Sequence, residues 1–303
     1  MAKQNFSCTV LGANGYIGRH FCYYLNLAGH EVFAYGKSEK GHSSLPDNIA
    51  YAQFDISDKN TLVNVNLDVD YIFVFSGVTG TKISFDQYRL FTEVNEIGLL
   101  NILDIVKNVK RKPRIVFPSS RLVYKGSALP LNEDDEKESK TVYAANKLNC
   151  EQLLNTYNSN YDIPFTIFRI CVPYGNMLDS SYSFGTIGFF LNRAKSGQAI
   201  TLFGDGSLKR TFTPIESLCE QIMAVSLKPD SVNEVYNIRG ETLSLLEAAK
   251  LIGKKYKVPV EFVAWPKDDL KLESGDTVFD SSKIDRLSGS NKDQTLKDWI
   301  NKL

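Results

Sequence analysis

Residues 6–18 of the chain, FSCTVLGANGYIG, join a predicted strand to a predicted helix through three glycines. The apolar run up to Leu11 predicts a buried strand, and Gly12, Gly15 and Gly18 follow it before an apolar pattern at helical spacing. Glycines at such a turn let the backbone approach a pyrophosphate, which the N–H groups and dipole of the helix N-terminus attract. The spacing is G-x-x-G-x-x-G, which a tight structural turn also uses, but its position favours a dinucleotide-binding turn.

The same alternation of strand and helix continues along the chain. Strands are expected near 6–11, 31–35, 71–75, 114–117 and 165–170, and helices near 16–28, 86–109 and 142–158. This order predicts an α/β fold with a doubly wound parallel sheet. Beyond residue 170 the rhythm weakens. We therefore expect a dinucleotide-binding domain over 1–170 and a mainly substrate-binding domain over 171–303, with some segments returning to the first core.

Composition excludes several classes of function. The 303 residues are 43% hydrophobic and carry 35 basic and 35 acidic side chains, so neither nucleic acid nor an anionic membrane is an expected partner. Five scattered cysteines without a C-x-x-C pair predict free thiols in a reducing compartment, and all three histidines fall within the first 42 residues. No metal site is expected.

The N-terminal stretch and the apolar runs bear on location. Residues 1–15, MAKQNFSCTVLGANG, contain no long apolar segment of the kind that a signal peptide needs. The strongest apolar run, DYIFVFSGV at 70–78, is far too short to span a bilayer. We expect a soluble, cytoplasmic protein.

The end of the second predicted strand bears on cofactor choice. Where a carboxylate would bind the adenosine ribose of NAD, the chain has Gly36 followed by Lys37. The missing acid removes repulsion against a 2′-phosphate, which Lys37 or Arg19 could attract, so NADP is favoured over NAD. Asp55 could meet the adenine amino group, or serve a turn or helix cap.

Residues 141–154, TVYAANKLNCEQLL, place Tyr143 and Lys147 four residues apart in a helical pattern. Such a pair can be ordinary surface decoration. It can also be catalytic, because a nearby ammonium group favours the phenolate and lowers a pKa of about 10 toward neutral pH. The neighbours of the pair decide between the two.

Nine fragments in order supply those neighbours. They are GANGYIG (12–18), FDISD (54–58), VNEIGLLNIL (94–103), FPSSRLVYKG (117–126), YAANK (143–147), FRICVPYG (168–175), FGDGSLKRTF (203–212), VYNIRGETLSLLE (235–247) and FDSSKIDRL (279–287). With them the chain resembles the extended short-chain dehydrogenases/reductases, specifically the NAD-dependent epimerase/dehydratase group that remodels nucleotide sugars. The resemblance implies a Rossmann-type sheet with a smaller C-terminal α/β substrate-binding region.

The resemblance also implies roles for individual residues. Tyr143 is the expected acid/base at the sugar hydroxyl or ketone, Lys147 lowers its pKa and holds the nicotinamide ribose, and Ser120 hydrogen-bonds the reacting oxygen, with Ser119 as the fallback. Arg210 is expected at the pyrophosphate of a nucleotide-diphosphate sugar. The expected cofactor residues are Gly12, Gly15, Tyr16, Ile17, Gly18, Arg19, Gly36, Lys37, Asp55, Ile56, Ser76, Gly77, Asn95 and Lys147.

Two departures from the family pattern narrow the reaction. Val172 stands where many relatives have the Asn of R-x-x-N after Arg169, which puts one substrate contact in doubt. Arg121 and Leu122 replace the Asp-Glu pair typical of 4,6-dehydratases, so loss of water by that route is not expected. Two reactions remain, which are 4-epimerisation and the reduction of a 4-keto sugar by NADPH. Gly36, in place of an acid, favours the reduction.

Two other interpretations stay open. One is an NADPH-dependent reductase of a non-nucleotide ketone, and the other is a non-catalytic NADP-sensing regulator, which would have little use for Ser120, Tyr143 and Lys147 together. The resemblance further implies a homodimer formed by the helices near 86–109 and 142–158, although their apolar faces could equally be covered within one chain.

Overall fold

The structure is a computed structural model that describes residues 5–178, 184–289 and 294–303. The first four residues of the N-terminal stretch interpreted above lie outside this part. The strands are β1 (Ser7–Leu11), β2 (Glu31–Gly36), β3 (Ala50–Gln53), β4 (Tyr71–Val74), β5 (Arg114–Ser120), β6 (Phe165–Ile170), β7 (Val172–Tyr174), β8 (Ile200–Phe203), β9 (Lys209–Pro214), β10 (Glu234–Asn237), β11 (Glu241–Ser244) and β12 (Val260–Val263).

Among the described residues, seven strands form one parallel sheet in the order β10-β6-β5-β4-β1-β2-β3. The order reverses between β1 and β4, so their following loops diverge and leave a crevice at the carboxyl ends of the strands. This confirms the predicted α/β fold with a Rossmann-type sheet. The edge strand β3 lies outside the strand ranges predicted above, because three of its four residues are exposed and it lacks an apolar face. Strand β10 comes from the second half of the chain.

The helices lie on both faces of this sheet and in the second region. They are α1 (Tyr16–Ala28), α2 (Ile83–Asp86), α3 (Tyr88–Thr92), α4 (Gly98–Val106), α5 (Val142–Tyr161), α6 (Gly185–Lys195), α7 (Ile215–Ser226), α8 (Leu245–Tyr256), α9 (Lys267–Lys271), α10 (Ser282–Ser288) and α11 (Leu296–Lys302). Helices α1 and α7 cover one face of the sheet, and α4 and α5 cover the other.

The single helix predicted over 86–109 is wrong in detail. It is divided into α2, α3, a π-helical segment at Glu93–Ile97 and α4. At the π segment Asn95 is buried, and its side chain binds the backbone of Val78 at the end of the neighbouring strand loop. The spacing of apolar residues predicts which face of the helix is buried, but it does not predict a π-helical segment. Such segments are frequent at functional sites.

Residues after 170 build a second, smaller layer. Strands β7, β9 and β11 form one sheet and β8 pairs with β12, and helices α6 and α8 pack on them through a buried cluster that includes Phe190, Leu191 and Ile252. Helix α7 instead joins the core of the main sheet through Leu218 and Ile222. Fully burying each such side chain stabilises the fold by about 1.5–3 kcal/mol. Because α7 comes from the second half of the chain but packs in the core of the main sheet, the two layers are joined by shared packing.

Within the described ranges the chain contains no helix long and apolar enough to cross a membrane. The same ranges hold no group of three His, Cys, Asp or Glu side chains that could bind a metal ion. All five cysteines are free thiols.

Candidate active site

The glycine turn between β1 and α1 lies at the crevice where the strand order reverses. Gly12 has a φ of +86°, and a Cβ atom there would lie 2.4 Å from the backbone nitrogen of Ser76. A Cβ atom at Gly18 would lie 2.2 Å from the carbonyl oxygen of Gly12. Helix α1 begins after Gly15, which offers no side-chain cap to its first N–H groups. The turn therefore fits a pyrophosphate, because it combines close backbone approach with available N–H donors.

Tyr16 and Ile17, at the start of α1, are partly buried. The Tyr16 hydroxyl donates to the carbonyl oxygen of Gly175 at 2.8 Å, and its ring stacks on Phe184 at 4.2 Å. Tyr16 therefore ties the glycine turn to the second region.

The end of β2 is arranged differently from the expectation. The Lys37 ammonium group forms an ion pair with Asp55 at 2.8 Å, because β2 and β3 are neighbours and their carboxyl ends meet. Asp55 also accepts from the backbone N–H and hydroxyl of Ser57, which is the turn role considered above. Burial alone would raise the pKa of Asp55, but the hydrogen bonds from Lys37 and Ser57 outweigh it and lower that pKa. Lys37 is thus already paired.

Arg19 lies in the first turn of α1, and Gly36 ends β2. One terminal nitrogen of Arg19 lies 3.1 Å from Nε2 of His42, whereas its buried Nε atom has no hydrogen-bond partner among the residues that the structure describes. A buried donor without an acceptor is costly, so a phosphate oxygen would be a suitable ligand here.

The remaining predicted cofactor residues follow β3 and β4. The Asn95 amide accepts from the N–H of Val78 at 2.9 Å and donates to its carbonyl oxygen at 3.1 Å. It thereby holds the backbone of Ser76 and Gly77 against the glycine turn, and a Cβ atom at Gly77 would lie 3.1 Å from its oxygen. Ile56 is buried beneath Gly98 at the start of α4.

The three predicted catalytic residues come together at the carboxyl end of β5. Ser120 ends β5, and Tyr143 lies in the first turn of α5, which the Thr141 side chain caps by accepting from the N–H of Ala144 at 3.0 Å. The Ser120 hydroxyl accepts from the N–H of Leu122 at 3.2 Å and lies near enough to the Tyr143 phenol to lower its pKa. Lys147 lies one turn further along α5 and donates to the carbonyl oxygen of Pro118 at 2.7 Å. All three are buried, so surface decoration is excluded as the explanation of the Tyr143–Lys147 spacing.

Ser119, the fallback for Ser120, points to the opposite face of β5. Its hydroxyl donates to Glu151, which forms a buried ion pair with Arg169 at 2.6 Å. Arg169 also donates to the Tyr124 hydroxyl at 2.7 Å, so this group holds β5, β6 and α5 together. The alternation of side chains along a strand explains why only one of the two serines faces Tyr143.

The charges around Tyr143 differ from the expectation. Burial raises the pKa of Tyr143 to about 12, and the neighbouring Ser120 hydroxyl and the positive charge of Arg121 act in the opposite direction. Burial also lowers the pKa of Lys147 to about 8. The Lys147 ammonium group donates to the carbonyl oxygen of Pro118 and lies over the ring of Phe117. Arg121 is the nearby cation in this conformation.

Arg210 is almost completely buried, with 2% of its surface exposed. It donates to the carbonyl oxygens of Lys209 and Gly275 at 2.8 and 2.7 Å, and it forms an ion pair with Glu273 at 2.6 Å. The expected contact with a pyrophosphate therefore stays a prediction, and it requires the guanidinium group to exchange at least one of these acceptors. Glu273 was not noticed in the sequence because it lies 63 residues away from Arg210.

Val172, at the departure after Arg169, is buried in the core of the second region. Arg121 is a candidate functional residue that was not predicted from the sequence, where it was considered only as the replacement of a carboxylate. Its position directly after Ser120 was the available signal.

The chain was then compared with known proteins. Residues 8–238 match the model of the NAD-dependent epimerase/dehydratase family. A UDP-N-acetyl-α-D-glucosaminuronate decarboxylase of Bacillus cytotoxicus is 30% identical over 249 residues, which cover 77% of this chain and 75% of that protein. A UDP-glucuronate 4-epimerase of Thermodesulfobacterium geofontis is 28% identical over 252 residues, which cover 80% of this chain and 74% of that protein.

Solved structures share the fold. The UDP-glucuronic acid 4-epimerase of Bacillus cereus, in complex with UDP-glucuronic acid and NAD, superposes with a TM-score of 0.82 at 21% identity, over 97% of this chain and 96% of that chain. The order of the strands, the glycine turn and the matched sequence lead to one conclusion: the chain belongs to the NAD-dependent epimerase/dehydratase family.

Proposed function

We propose that the chain is an NAD(P)-dependent nucleotide-sugar 4-epimerase, which oxidises and re-reduces C4 of a sugar. The observation that carries this proposal is the burial of Ser120, Tyr143 and Lys147 together at the carboxyl end of β5, where Lys147 donates to the carbonyl oxygen of Pro118. Family relatives that act on UDP-linked sugars, one of them a 4-epimerase, support the same substrate class.

Each side chain has a task in the proposed reaction. Burial keeps Tyr143 as the neutral phenol, so it must first release its own proton to solvent. The phenolate then takes the proton of the C4 hydroxyl as that carbon is oxidised, and returns that proton to the same oxygen as the ketone is reduced. Ser120 donates a hydrogen bond that fixes the oxygen in front of the phenol. Lys147 has a pKa lowered to about 8, so its charge can be changed at small cost near neutral pH.

The dinucleotide is assigned to the glycine turn. Gly12, Gly15 and Gly18 would hold its pyrophosphate, and Asn95 would hold the strand loop against which it lies. When bound, it supplies hydride exchange at the nicotinamide C4. NAD is proposed as the resident form, since the ion pair of Lys37 with Asp55 removes the clearest attraction for a 2′-phosphate.

A second candidate is an NADPH-dependent 4-ketoreductase. It is favoured by Gly36, which leaves β2 without the carboxylate that selects NAD, and by the unpartnered Nε atom of Arg19. This is the NADP preference that the sequence predicted, and it stays a prediction.

The organisation of the chain follows from the same proposal. Residues 1–170 serve mainly the dinucleotide and 171–303 mainly the nucleotide-diphosphate sugar. We also infer a homodimer, because Phe85, Tyr88 and Ile97 before α4 and Tyr161 at the end of α5 expose large apolar side chains. Light scattering should give twice the chain mass, and Tyr88→Glu should reduce it; a monomeric wild type would contradict this inference.

The proposed function is tested with the purified protein and UDP-sugars. Mass spectrometry of co-purifying nucleotide should find NAD, and chromatography should find the 4-epimer of the supplied sugar without net consumption of cofactor. Net oxidation of NADPH by a 4-keto sugar would favour the ketoreductase instead. Turnover of a simple ketone but no UDP-sugar, or dinucleotide binding without any hydride transfer, would contradict both candidates.

A further inference from the structure

Arg121 is a cation beside the reacting groups that the proposed reaction does not use. It begins a single 3-10 turn, Arg121–Val123, directly after Ser120. One terminal nitrogen donates to the hydroxyl of Thr277 at 3.3 Å. Throughout the described ranges this is the only side-chain partner of the guanidinium group, which forms no ion pair there. Most of its donors are therefore available to a ligand.

Arg210 lies close to Arg121 and shows the opposite arrangement. Two carbonyl oxygens and the Glu273 carboxylate satisfy it. Burial raises the pKa of the neighbouring thiol of Cys171, and it raises that of the Tyr143 phenol to about 12, so both are neutral at pH 7. The charges of Arg121, Arg210 and Glu273 therefore sum to one excess positive charge. Because Glu273 is paired with Arg210, this excess charge is that of Arg121.

The surroundings of Arg121 make that charge costly. Burial and the like charge of Arg210 lower its pKa to about 10, so it stays charged at neutral pH although the protein around it disfavours the charge. The side chain nevertheless remains partly accessible to solvent. A desolvated cation with an open side is most readily stabilised by an anion, and the planar guanidinium matches a carboxylate through two parallel hydrogen bonds.

The position of the charge decides which substrate anion it meets. If C4 reacts at Ser120 and Tyr143, as the proposed function requires, then the diphosphate on C1 lies across the sugar ring. C4 has two ring neighbours, C3 and C5. Of the groups that they carry, C6 on C5 is the one that can bear the negative charge a cation beside Tyr143 would bind. In a hexuronate C6 is a carboxylate.

We propose that Arg121 is a specificity-determining residue that binds the C6 carboxylate of a nucleotide-linked hexuronate. The inference rests on the proposed function and narrows its substrate. Arg121 stands where the 4,6-dehydratases typically have a carboxylate. A cation at this position would select substrates that carry a negative charge at C6.

The experiment compares UDP-glucuronate with UDP-glucose, which differ at C6. Wild type should epimerise UDP-glucuronate with the higher kcat/KM. Arg121→Gln should lower that value by about 100-fold, mostly through KM, as expected when one partner of a buried charged pair is removed. The same variant should lower kcat/KM for UDP-glucose by a much smaller factor, because that loss contains only the effect of the Arg121 charge on Tyr143. Arg121→Lys keeps the charge and should restore part of the loss on UDP-glucuronate. Arg111→Gln, an exposed arginine paired with Asp70 at the far end of β5, is the matched control.

The readouts separate the alternatives. An equal loss on both sugars, or weaker binding of UDP alone, would overturn the inference, since Arg121 would then act on the phenol, the diphosphate or the fold; thermal unfolding of each variant identifies the last case. Wild type that turns over UDP-glucose but not UDP-glucuronate overturns it while the proposed function stands. Turnover of neither sugar contradicts the proposed function, and the inference falls with it.

Discussion

The two sides of the crevice are built in different ways. On the dinucleotide side the backbone forms the surface, through the tight approach of Gly12 to Ser76 and the bare start of α1. On the substrate side charged side chains form it, with Arg121 open and Arg210 closed by Glu273. Backbone geometry leaves a pattern in neighbouring residues, whereas side-chain pairing joins residues that are far apart in the chain. The first side was therefore easier to predict from sequence than the second.

The strongest test addresses the residue where the two sides meet. Tyr143→Phe removes the phenol that exchanges the proton but keeps the ring that packs against Phe91. We expect kcat for the sugar to fall by about 10³-fold, within the range that general acid–base groups supply, while dinucleotide affinity stays unchanged. Steady-state rates and a dinucleotide titration measure the two quantities. A variant that keeps a tenth of the activity would show that Tyr143 is not the acid/base.

The dinucleotide side is tested by Gly12→Ala. The left-handed backbone costs about 1–2 kcal/mol for a residue with a Cβ atom, and the contact of 2.4 Å with the Ser76 nitrogen adds overpacking of about 1–3 kcal/mol. We expect the free energy of unfolding to fall by about 3 kcal/mol and dinucleotide binding to be lost. Urea unfolding gives the first value.

Gly29→Ala is the control for that experiment. Gly29 ends α1 with a φ of +82°, and a Cβ atom there meets nothing within 4 Å. Only the conformational cost remains, so we expect a loss of about 1 kcal/mol with dinucleotide binding intact. Equal losses at the two positions would show that the turn tolerates a side chain and is not a close-approach site.

Individual residues show which parts of the candidate site can be predicted from the sequence. Residues Gly12, Ser120, Tyr143 and Lys147 were found because each belongs to a short motif on one element, and the structure brings them to one edge of the sheet. The sequence also predicted that Lys147 lowers the pKa of Tyr143, whereas burial raises that pKa to about 12, and Ser120 and Arg121 oppose the rise only in part. Four residues along a helix set which face a side chain shares, but the carbonyl oxygen of Pro118 decides where the ammonium group lies.

The ion pairs between residues that are distant in the chain could not be predicted from local sequence either. Neither Glu273 beside Arg210 nor Asp55 beside Lys37 carries a local signal, because each pair forms only when strands or loops become neighbours. Both pairs change the availability of a cation that the sequence had assigned to a phosphate. Their effect on binding can be measured directly.

Glu273→Gln tests whether the substrate side can open. The amide keeps an acceptor for Arg210 but removes the competing negative charge, so Arg210 should become available to the diphosphate. We expect the Kd for UDP to fall about fivefold, equivalent to about 1 kcal/mol. Calorimetric titration measures it, and adding Arg210→Gln to the same chain should abolish the gain. Unchanged affinity in the single variant would mean that Arg210 serves only to hold the segment near Gly275 against β9.

Asp55→Asn makes the smallest change, on the dinucleotide side. It releases Lys37, whose side chain is 75% exposed, and removes a negative charge near the place expected for a 2′-phosphate. Since exposed ion pairs are worth at most about 1 kcal/mol, we expect the ratio of NADP to NAD affinity to rise by only about threefold, and by less in high salt. The ratio is the informative quantity, because a contact between Asp55 and the adenine amino group would alter the affinities of both dinucleotides equally. Fluorescence titrations at low and high salt give it, and a ratio that does not move would mean that cofactor choice depends on Gly36 and Arg19, leaving the Lys37–Asp55 pair as a turn contact alone.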